Sequence, residues 1–419
     1  MNYFFSIFRL QDLRKKVFFT LFIVFLYRLG THIPISGIDL ASLERLFSQG
    51  GVLGFFNLFS GGGLSRFSVF ALGVLPYINA SIIIQLLTII WPQLKELSEE
   101  GEFGRKKISQ YTRYLAITIA FVQATVMTIG FRDFLYPDTS FLFFLFYSVL
   151  GLVAGASLVM WFGELITEFG IGNGASVLIF VGIIAQMPNY IHNTYTLIQG
   201  GVSLLGVFVL VVVFLMIIVS IIVVQEAQRK ISVQYAKRIV GRKLYTGKST
   251  YIPLRLIQGG VMPIIFASAV LQFPLMISHY TQIEGVKNFF SIYYRYDGFL
   301  YNFVFCLLIF FFTYFYTAIT FNPQELSDNI KKYGGFIMGV RPGKSTVEYL
   351  EAIITRLTLV GAIFLSFLAL VPIVTANLTK ITSFMGLGGT ALLIIVGVTL
   401  DLLRQIDSLL VSKKYEGFL

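Results

Sequence analysis

The sequence has few charged residues and almost no cysteine or histidine. Only 13% of its 419 residues are Asp, Glu, Lys or Arg, whereas 56% are hydrophobic. This composition excludes a soluble globular protein, and a mean hydropathy of +0.79 supports the same conclusion. The single cysteine, Cys306, excludes a framework of disulfide bonds, and three scattered histidines form no metal-binding pattern. We therefore expect a membrane protein with no metal and no other cofactor.

Ten long apolar segments predict an all-α polytopic membrane protein in a single domain. Each segment is close to the roughly 20 residues that a helix needs to cross a bilayer. The predicted spans are residues 15–35, 69–91, 110–131, 140–162, 173–190, 202–224, 256–278, 299–321, 355–376 and 383–406.

The basic residues indicate how these spans are oriented. Of the 32 Lys and Arg residues, 25 fall in the terminal segments and in alternate loops. The positive-inside rule therefore predicts that both ends lie on the cytoplasmic side or its organellar equivalent. Ten spans with both ends inside divide into two sets of five, and an odd number per set inverts the second relative to the first. We predict two inverted halves, residues 1–200 and 201–419.

Two of the apolar segments carry the same interruption. Gly73 lies three residues before Pro76, and Gly260 lies three residues before Pro263. Proline removes a helix hydrogen bond, and glycine eases bending. Relief of a packing clash would explain either pair alone. Matched breaks in the second span of each half indicate instead a pathway between inverted repeats.

The predicted spans contain few charges near their centres. Asp401 is the one clear acid in a span, and it lies near the inner end beside Arg404. Ion-coupled transporters keep ionisable groups near the midplane, and an intramembrane enzyme needs a nucleophile with a base or a pair of carboxylates. A charge-free aliphatic pathway suits a narrow hydrophobic gate. The sequence therefore favours a passive channel over a solute transporter or an enzyme.

Residues 36–68 are unusual for an outer loop. They include a short apolar element that is followed by three consecutive glycines, Gly61, Gly62 and Gly63. The element is too short to cross the membrane. It either folds back into the protein on a glycine hinge or lies on the lipid as an interfacial helix. These residues alone leave both alternatives open.

Two inner loops are longer than a simple connection requires. Residues 225–255 contain eight Lys and Arg, and the alternation of Ile231, Val233 and Tyr235 predicts a strand in a hairpin. Residues 322–354 contain a helical stretch and a turn around Arg341. Basic loops can act only to set the orientation of the protein in the membrane. Their length and predicted order favour a docking surface for an acidic partner such as ribosomal RNA.

Eight motifs follow one another along nearly the whole chain. They are FSGGGLSR at 59–66, ALGVLPYI at 71–78, SIIIQLL at 81–87, GRKKISQYTRY at 104–114, GIGNG at 170–174, QYAKR at 234–238, FNP at 321–323 and GVRPG at 339–343. In this order they resemble the SecY/Sec61α family of protein-conducting channels in its bacterial and plastid form.

The resemblance implies two five-helix halves around an hourglass pore, closed by a ring of mostly aliphatic side chains and by a plug at about residues 55–66. It also implies a lateral gate between spans 69–91 and 256–278, through which hydrophobic segments pass into lipid. The implied ring is Val74, Ile78, Ala175, Ile179, Ile265 and Ile394. The implied plug residues are Phe55, Phe59, Gly61, Gly62, Gly63 and Arg66. The implied gate residues are Asn79, Gln85 and Phe273, although a lone helix–helix hydrogen bond would also explain Gln85. The implied docking residues are Lys237, Arg238, Arg242, Lys243 and Arg341.

The resemblance also implies partners and a location. The partners are a SecE-type subunit, a SecG-type subunit, the SecA motor or a ribosome, preproteins with signal sequences, and membrane lipid. The chain has 43 Phe and 22 Tyr but only 2 Trp, as an AT-rich genome would produce. Its C-terminal residues are similar to those of cyanobacterial and plastid members. We therefore expect the plastid thylakoid membrane, with the bacterial plasma membrane as the alternative.

Overall fold

The computed structural model describes residues 11–48, 57–137, 139–200, 203–235, 238–240, 243–245, 249–280, 285, 294, 298–379 and 389–416. The helices are α1 (Gln11–Gly30), α2 (Leu40–Ser48), α3 (Leu75–Ile90), α4 (Pro92–Glu99), α5 (Glu102–Gly130), α6 (Phe141–Phe169), α7 (Gly174–Gln199), α8 (Leu204–Glu226), α9 (Met262–Tyr280), α10 (Phe299–Thr320), α11 (Pro323–Lys332), α12 (Lys344–Thr379) and α13 (Gly389–Glu416). The strands are β1 (Gln228–Tyr235), β2 (Arg238–Val240), β3 (Lys243–Tyr245), β4 (Ser249–Arg255) and β5 (Gly335–Ile337).

Each predicted span overlaps one helix that covers most of its length. These ten helices are α1, α3, α5 to α10, α12 and α13. Among the described residues, seven helical segments are long and apolar enough to cross a membrane, or eight if α3 and α4 form one bent span. Helix α1 falls outside that group because charges occupy its first turns, and α9 contributes only a shorter apolar segment, Met262–Leu271. The chain is a multi-pass membrane protein.

The matched breaks lie at the starts of helices rather than within them. Helices α3 and α9 begin at Leu75 and Met262, so the spans predicted from 69 and 256 began too early. Pro76 lies in the first turn of α3, where the missing N–H group costs no helix hydrogen bond. Turns precede both helices, with a positive φ at Gly73 and at Gly260.

Contacts between helices follow the same pattern in both halves. Helix α3 packs on α5 as α9 packs on α10, and α5 packs on α6 as α10 packs on α12. Helix α6 packs on α7 as α12 packs on α13, and α1 contacts α6 and α7 as α8 contacts α12 and α13. The pairs α3–α9 and α7–α13 join the halves. This correspondence is the packing of two inverted five-helix halves.

Three apolar clusters support this arrangement. The largest lies at the centre and takes buried side chains from both halves. A second cluster joins the outer loop to α5 and α6, with Phe67 stacked on Phe144. The third lies outside the membrane and joins the two long inner loops through residues such as Val233, Ile337 and Leu350.

The two inner loops share a three-stranded sheet, and strands β2 and β3 pair with each other in a separate two-stranded sheet. Strand β1 pairs in antiparallel register with β4, Ile231 opposite Ile252, and with β5, Val233 opposite Ile337. The antiparallel pairing of β1 with β4 confirms the predicted hairpin. The third strand of the sheet, β5, comes from the other loop.

The connection between the second and third predicted spans is also helical. Helix α4 turns by 102° from α3 at Trp91, and the basic residues Arg105, Lys106 and Lys107 lie in the first turns of α5.

Candidate pore and gate

The six implied ring residues all belong to the central apolar cluster. Val74 and Ile78 lie at the start of α3, Ala175 and Ile179 at the start of α7, Ile265 in α9 and Ile394 in α13. Five of these side chains are no more than 6% exposed, and Ala175 is half-buried. Two helices from each half therefore bring aliphatic side chains into a single buried region.

Local hydrogen bonds place the ring residues in matching positions. The N–H group of Ile78 donates to the carbonyl of Val74 at 3.1 Å, and that of Ile265 donates to the carbonyl of Val261 at 3.3 Å. These are corresponding first turns in α3 and α9. Helix α7 begins after Asn173, whose side-chain oxygen accepts from the N–H group of Ser176 at 3.2 Å. An N-cap of this kind fixes where a helix starts.

The outer segment forms a compact unit that is folded into the protein. Its helical part ends at Phe59, and turns continue from there to Phe67. The Asn57 side chain accepts from the N–H group of Ser65 at 2.9 Å, and the Asn57 carbonyl accepts from that of Gly62 at 2.8 Å. Phe59 is 3% exposed and belongs to the same cluster as the ring. An interfacial helix on lipid is therefore excluded for residues 57–66. Phe55 lies outside the described residues.

The three glycines of this segment are close-packed. A Cβ atom at Gly61 would lie 3.1 Å from the Cα atom of Gly182 in α7. A Cβ at Gly62 would lie 2.1 Å from the Gln186 side chain, and one at Gly63 would lie 2.7 Å from a side-chain oxygen. Glycine is therefore needed here for close approach, and its use as a hinge stays a prediction. Arg66 is half-buried at the end of the segment.

The implied gate lies where α3 packs against α9. Asn79 is buried, and its side-chain oxygen has no hydrogen-bond partner within the part of the chain that the structure describes. Gln85 donates to the Ser81 hydroxyl at 3.1 Å, which lies in the same helix. Gln85 therefore bonds within α3, and not to another helix as the sequence allowed. Phe273 lies in α9, but its side chain lies outside the described residues.

The implied docking residues are only partly described. Arg341 is exposed in the turn after β5, and its carbonyl accepts from the Thr346 hydroxyl at 2.9 Å. Arg238 and Lys243 begin the short strands β2 and β3, of which only the backbone is described. Lys237 and Arg242 lie outside the described residues. Sequence reasoning missed the sheet shared by both loops, although the short apolar stretch at 335–337 was a possible signal.

Sequence reasoning also missed a polar junction on α13. Arg404 donates to the Glu226 carboxylate at 2.7 Å and to the Gln225 carbonyl at 3.0 Å, at the last turn of α8. The adjacent Gln405 accepts from the N–H group of Gly172, in the connection between α6 and α7. Two consecutive residues thus tie α13 to both halves. Both residues lie far along the chain from their partners, so no local sequence pattern indicated these contacts.

These features define a class of protein. The fold is a helical membrane protein of two inverted halves, whose aliphatic centre is covered by a buried outer segment. The family model described as SecY matches residues 68–403. The chain is 44% identical to "Protein translocase subunit SecY" of Thermotoga maritima, over 98% of this chain and 96% of that protein. It is 46% identical to the Synechocystis protein of the same description, over 97% and 94%. The chain belongs to the SecY family.

Solved structures confirm the fold. One is described as "The structure of a protein conducting channel", with a TM-score of 0.65 and 19% identity over 94% of this chain and 92% of that chain. Another, "Sec61 in the Canine ribosome-channel complex from the endoplasmic reticulum", gives a TM-score of 0.61 with 18% identity over 94% and 92%. The second shows a protein of this fold in a complex with a ribosome.

Proposed function

We propose that this chain is the pore-forming subunit of a Sec-type protein translocase. It conducts unfolded polypeptides across the membrane and releases hydrophobic segments sideways into lipid. The chain itself is a passive channel and catalyses no reaction, so a motor or ribosome supplies the driving force. Membership in the SecY family and the descriptions of its relatives as protein translocase subunits support this function.

One observation carries the proposal. Aliphatic side chains from both halves meet in a buried cluster, and the outer segment adds Phe59 to that same cluster. An aliphatic constriction is too apolar to hold a stable column of water, so it seals the membrane at rest. It also offers no charge or hydrogen bond that would retain a passing chain. We assign the ring to Val74, Ile78, Ala175, Ile179, Ile265 and Ile394, and the plug to the segment that ends at Arg66.

We also propose a lateral gate and a docking surface, which the helix packing and the exposed basic residues support. We place the lateral gate at the α3–α9 contact, where Asn79 and Gln85 lie on α3 and Phe273 on α9. We place the docking surface on the segment between β1 and β4, with Lys237, Arg238, Arg242 and Lys243, and on the turn after β5, with Arg341. Strand β4 leads into α9 through only six residues, 256–261. A partner bound to the segment that leads into β4 is therefore close to the gate helix along the chain.

The remaining assignments concern domains, partners and location. The matched helix packing supports division into halves at residues 1–200 and 201–419. A SecE-type subunit, a SecG-type subunit, and SecA or a ribosome are the partners we propose. The matches to cyanobacterial relatives support the plastid thylakoid membrane, with the bacterial plasma membrane as the alternative. Affinity purification in mild detergent tests the partners, and membrane fractionation tests the location.

Reconstitution tests the function directly. The purified complex is placed in liposomes with a preprotein and either SecA with ATP or translating ribosomes. We expect the preprotein to become protected from added protease. The matched control is the same preprotein with charged residues placed in the hydrophobic core of its signal, which should stay sensitive. Equal protection of both substrates, or none with either motor, would contradict the proposal.

The solute-transporter alternative has a separate test in the same liposomes. A passive protein channel should show no substrate-coupled uptake of small solutes when an ion gradient is imposed. Gradient-driven accumulation of a solute, without protection of the preprotein, would favour the transporter. The lack of midplane charges in six predicted spans argues against that outcome.

A further inference from the structure

We propose that Arg28 is a latch that holds the outer segment, residues 57–66, in its closed position. It acts as a positioning residue: it touches the segment and not the passing polypeptide. This inference rests on the proposed function, because it assigns a role to the closed state of a channel.

The latch is a single hydrogen bond between two elements far apart in sequence. Arg28 lies in the last turn of α1, and its guanidinium donates to the carbonyl of Gly61 at 2.7 Å. A hydrogen bond from a charged donor is shorter and stronger than one between neutral groups. The bond is partly buried, so water competes with it less than at an exposed site.

The carbonyl of Gly61 accepts a hydrogen bond from outside the segment, whereas three neighbouring carbonyls accept from within it. The Asn57, Leu58 and Ser60 carbonyls accept from N–H groups of the segment itself. These bonds shape the segment but do not tie it to the helices. The Gly61 carbonyl accepts from α1, which belongs to the surrounding bundle. Losing this bond would weaken the hold on the segment without unfolding it, because Leu58 and Phe59 stay packed in the central cluster.

The glycine at position 61 makes this bond possible. Gly61 has a φ of +64°, which favours glycine. A Cβ atom there would lie 3.2 Å from the bonding nitrogen of Arg28 and 3.1 Å from the Cα atom of Gly182. The segment is thus seated between α1 and α7 with no room for a side chain. A larger residue would push it away from the guanidinium while leaving Arg28 in place.

The test measures the position of the segment and the seal separately. Leu64 is 7% exposed in the closed segment. In a Cys306→Ser background, Leu64→Cys supplies one thiol, and a membrane-impermeant maleimide added from the outer side reports its exposure. Resting ion conductance in planar bilayers reports the seal. We expect Arg28→Gln to raise both the labelling rate and the conductance by about tenfold, as loss of one charged hydrogen bond would allow.

Two further variants and one control sharpen the result. Gly61→Ala keeps Arg28 and should reproduce the effect, whereas Arg28→Lys keeps a charged donor and should have a smaller effect. The control is Arg132→Gln, which removes another outer positive charge. Arg132 is exposed, and its guanidinium lies 4.8 Å from the centre of the Phe141 ring, away from the segment.

The outcomes separate the latch from the channel function. Parental values of labelling and conductance in both Arg28→Gln and Gly61→Ala would overturn the latch, as would an equal rise in Arg132→Gln. If Arg28→Gln fails to assemble, Gly61→Ala alone decides. If the parental protein translocates no preprotein, the proposed function fails, whereas the labelling rates still decide whether Arg28 holds the segment.

Discussion

Gly73 and Gly260 have the same backbone conformation, with a φ of +56° at each residue. Each lies two residues before the first residue of a helix and three residues before a proline. One is in the first half of the chain and the other is in the second. The two halves therefore share the same turn before the corresponding helix, and the glycines are required because other residues rarely adopt this conformation.

The surroundings of these two glycines differ, which yields a prediction. A Cβ atom at Gly73 would lie 3.3 Å from the carbonyl oxygen of Phe59, in the outer segment, whereas one at Gly260 would meet nothing within 4 Å. We expect Gly73→Ala and Gly260→Ala each to cost roughly 1–2 kcal/mol of backbone strain. Only Gly73→Ala should raise resting conductance in planar bilayers. A rise in both variants would mean that strain, and not the contact with the segment, opens the seal.

The ring assignment predicts different effects at two adjacent positions. Ile265 and Ile264 are both buried in α9, at 2% and 0% exposure, but only Ile265 is assigned to the ring. Ile265→Asn should hydrate the constriction and destabilise the closed state by ~1–3 kcal/mol. We expect export of a reporter with a crippled signal to increase, because the signal then needs to supply less binding energy.

Ile264→Asn is the matched control for the ring. It places the same polar side chain about 100° around the helix, so it should lower the yield of folded protein without restoring export. If Ile265→Asn leaves both export and resting conductance at the parental level, the ring is misplaced. If both variants restore export equally, the effect comes from general loosening of the bundle.

The docking surface predicts sensitivity to the sign of charge at one turn. Arg341→Glu should leave insertion and folding intact but reduce translocation roughly tenfold or more, since a reversed charge repels an acidic partner. Protease protection of a preprotein measures the effect, and binding of the motor or ribosome should weaken in parallel. Lys344→Glu, an exposed position three residues later, is the control. Equal loss in the control would indicate general electrostatic attraction in place of a specific contact.

The junction on α13 predicts a stability effect. Arg404 is 27% exposed and Glu226 is 50% exposed, so solvent screens part of their ion pair. The bond to the Gln225 carbonyl at the end of α8 adds to it. We expect Arg404→Ala to cost about 1–2 kcal/mol and to lower the Tm in detergent by roughly 2 °C.

Two further single variants separate the contributions to this junction. Glu226→Gln should cost less than Arg404→Ala, because the carbonyl of Gln225 still accepts from Arg404. Asp401→Asn should have little effect, since that pair is longer, at 3.3 Å, and 61% of the Asp401 side chain is exposed. A melting temperature in Arg404→Ala that matches the parental protein would show that the junction contributes nothing measurable.

Much of the fold could be predicted because its signals are local. Long apolar runs identify spans, the Lys and Arg bias identifies their orientation, and the alternation at Ile231 and Val233 identifies a strand. The helix starts at Leu75 and Met262 were missed, because apolar residues continue through the turns that precede them. The shared sheet was missed because pairing of Val233 with Ile337 joins positions 104 residues apart, which pattern alone does not connect.

Hydrophobicity and charge bias act within each segment, so they were enough to predict a polytopic membrane protein of two inverted halves. The motifs also carried the resemblance to the family that the comparisons confirm. The three-dimensional structure was needed to show that the outer segment folds into the protein and that Arg28 reaches Gly61. It alone showed that Arg404 and Gln405 join α13 to both halves. Such contacts depend on how whole helices pack, and helix packing is set by shape complementarity across the bundle rather than by any local run of residues.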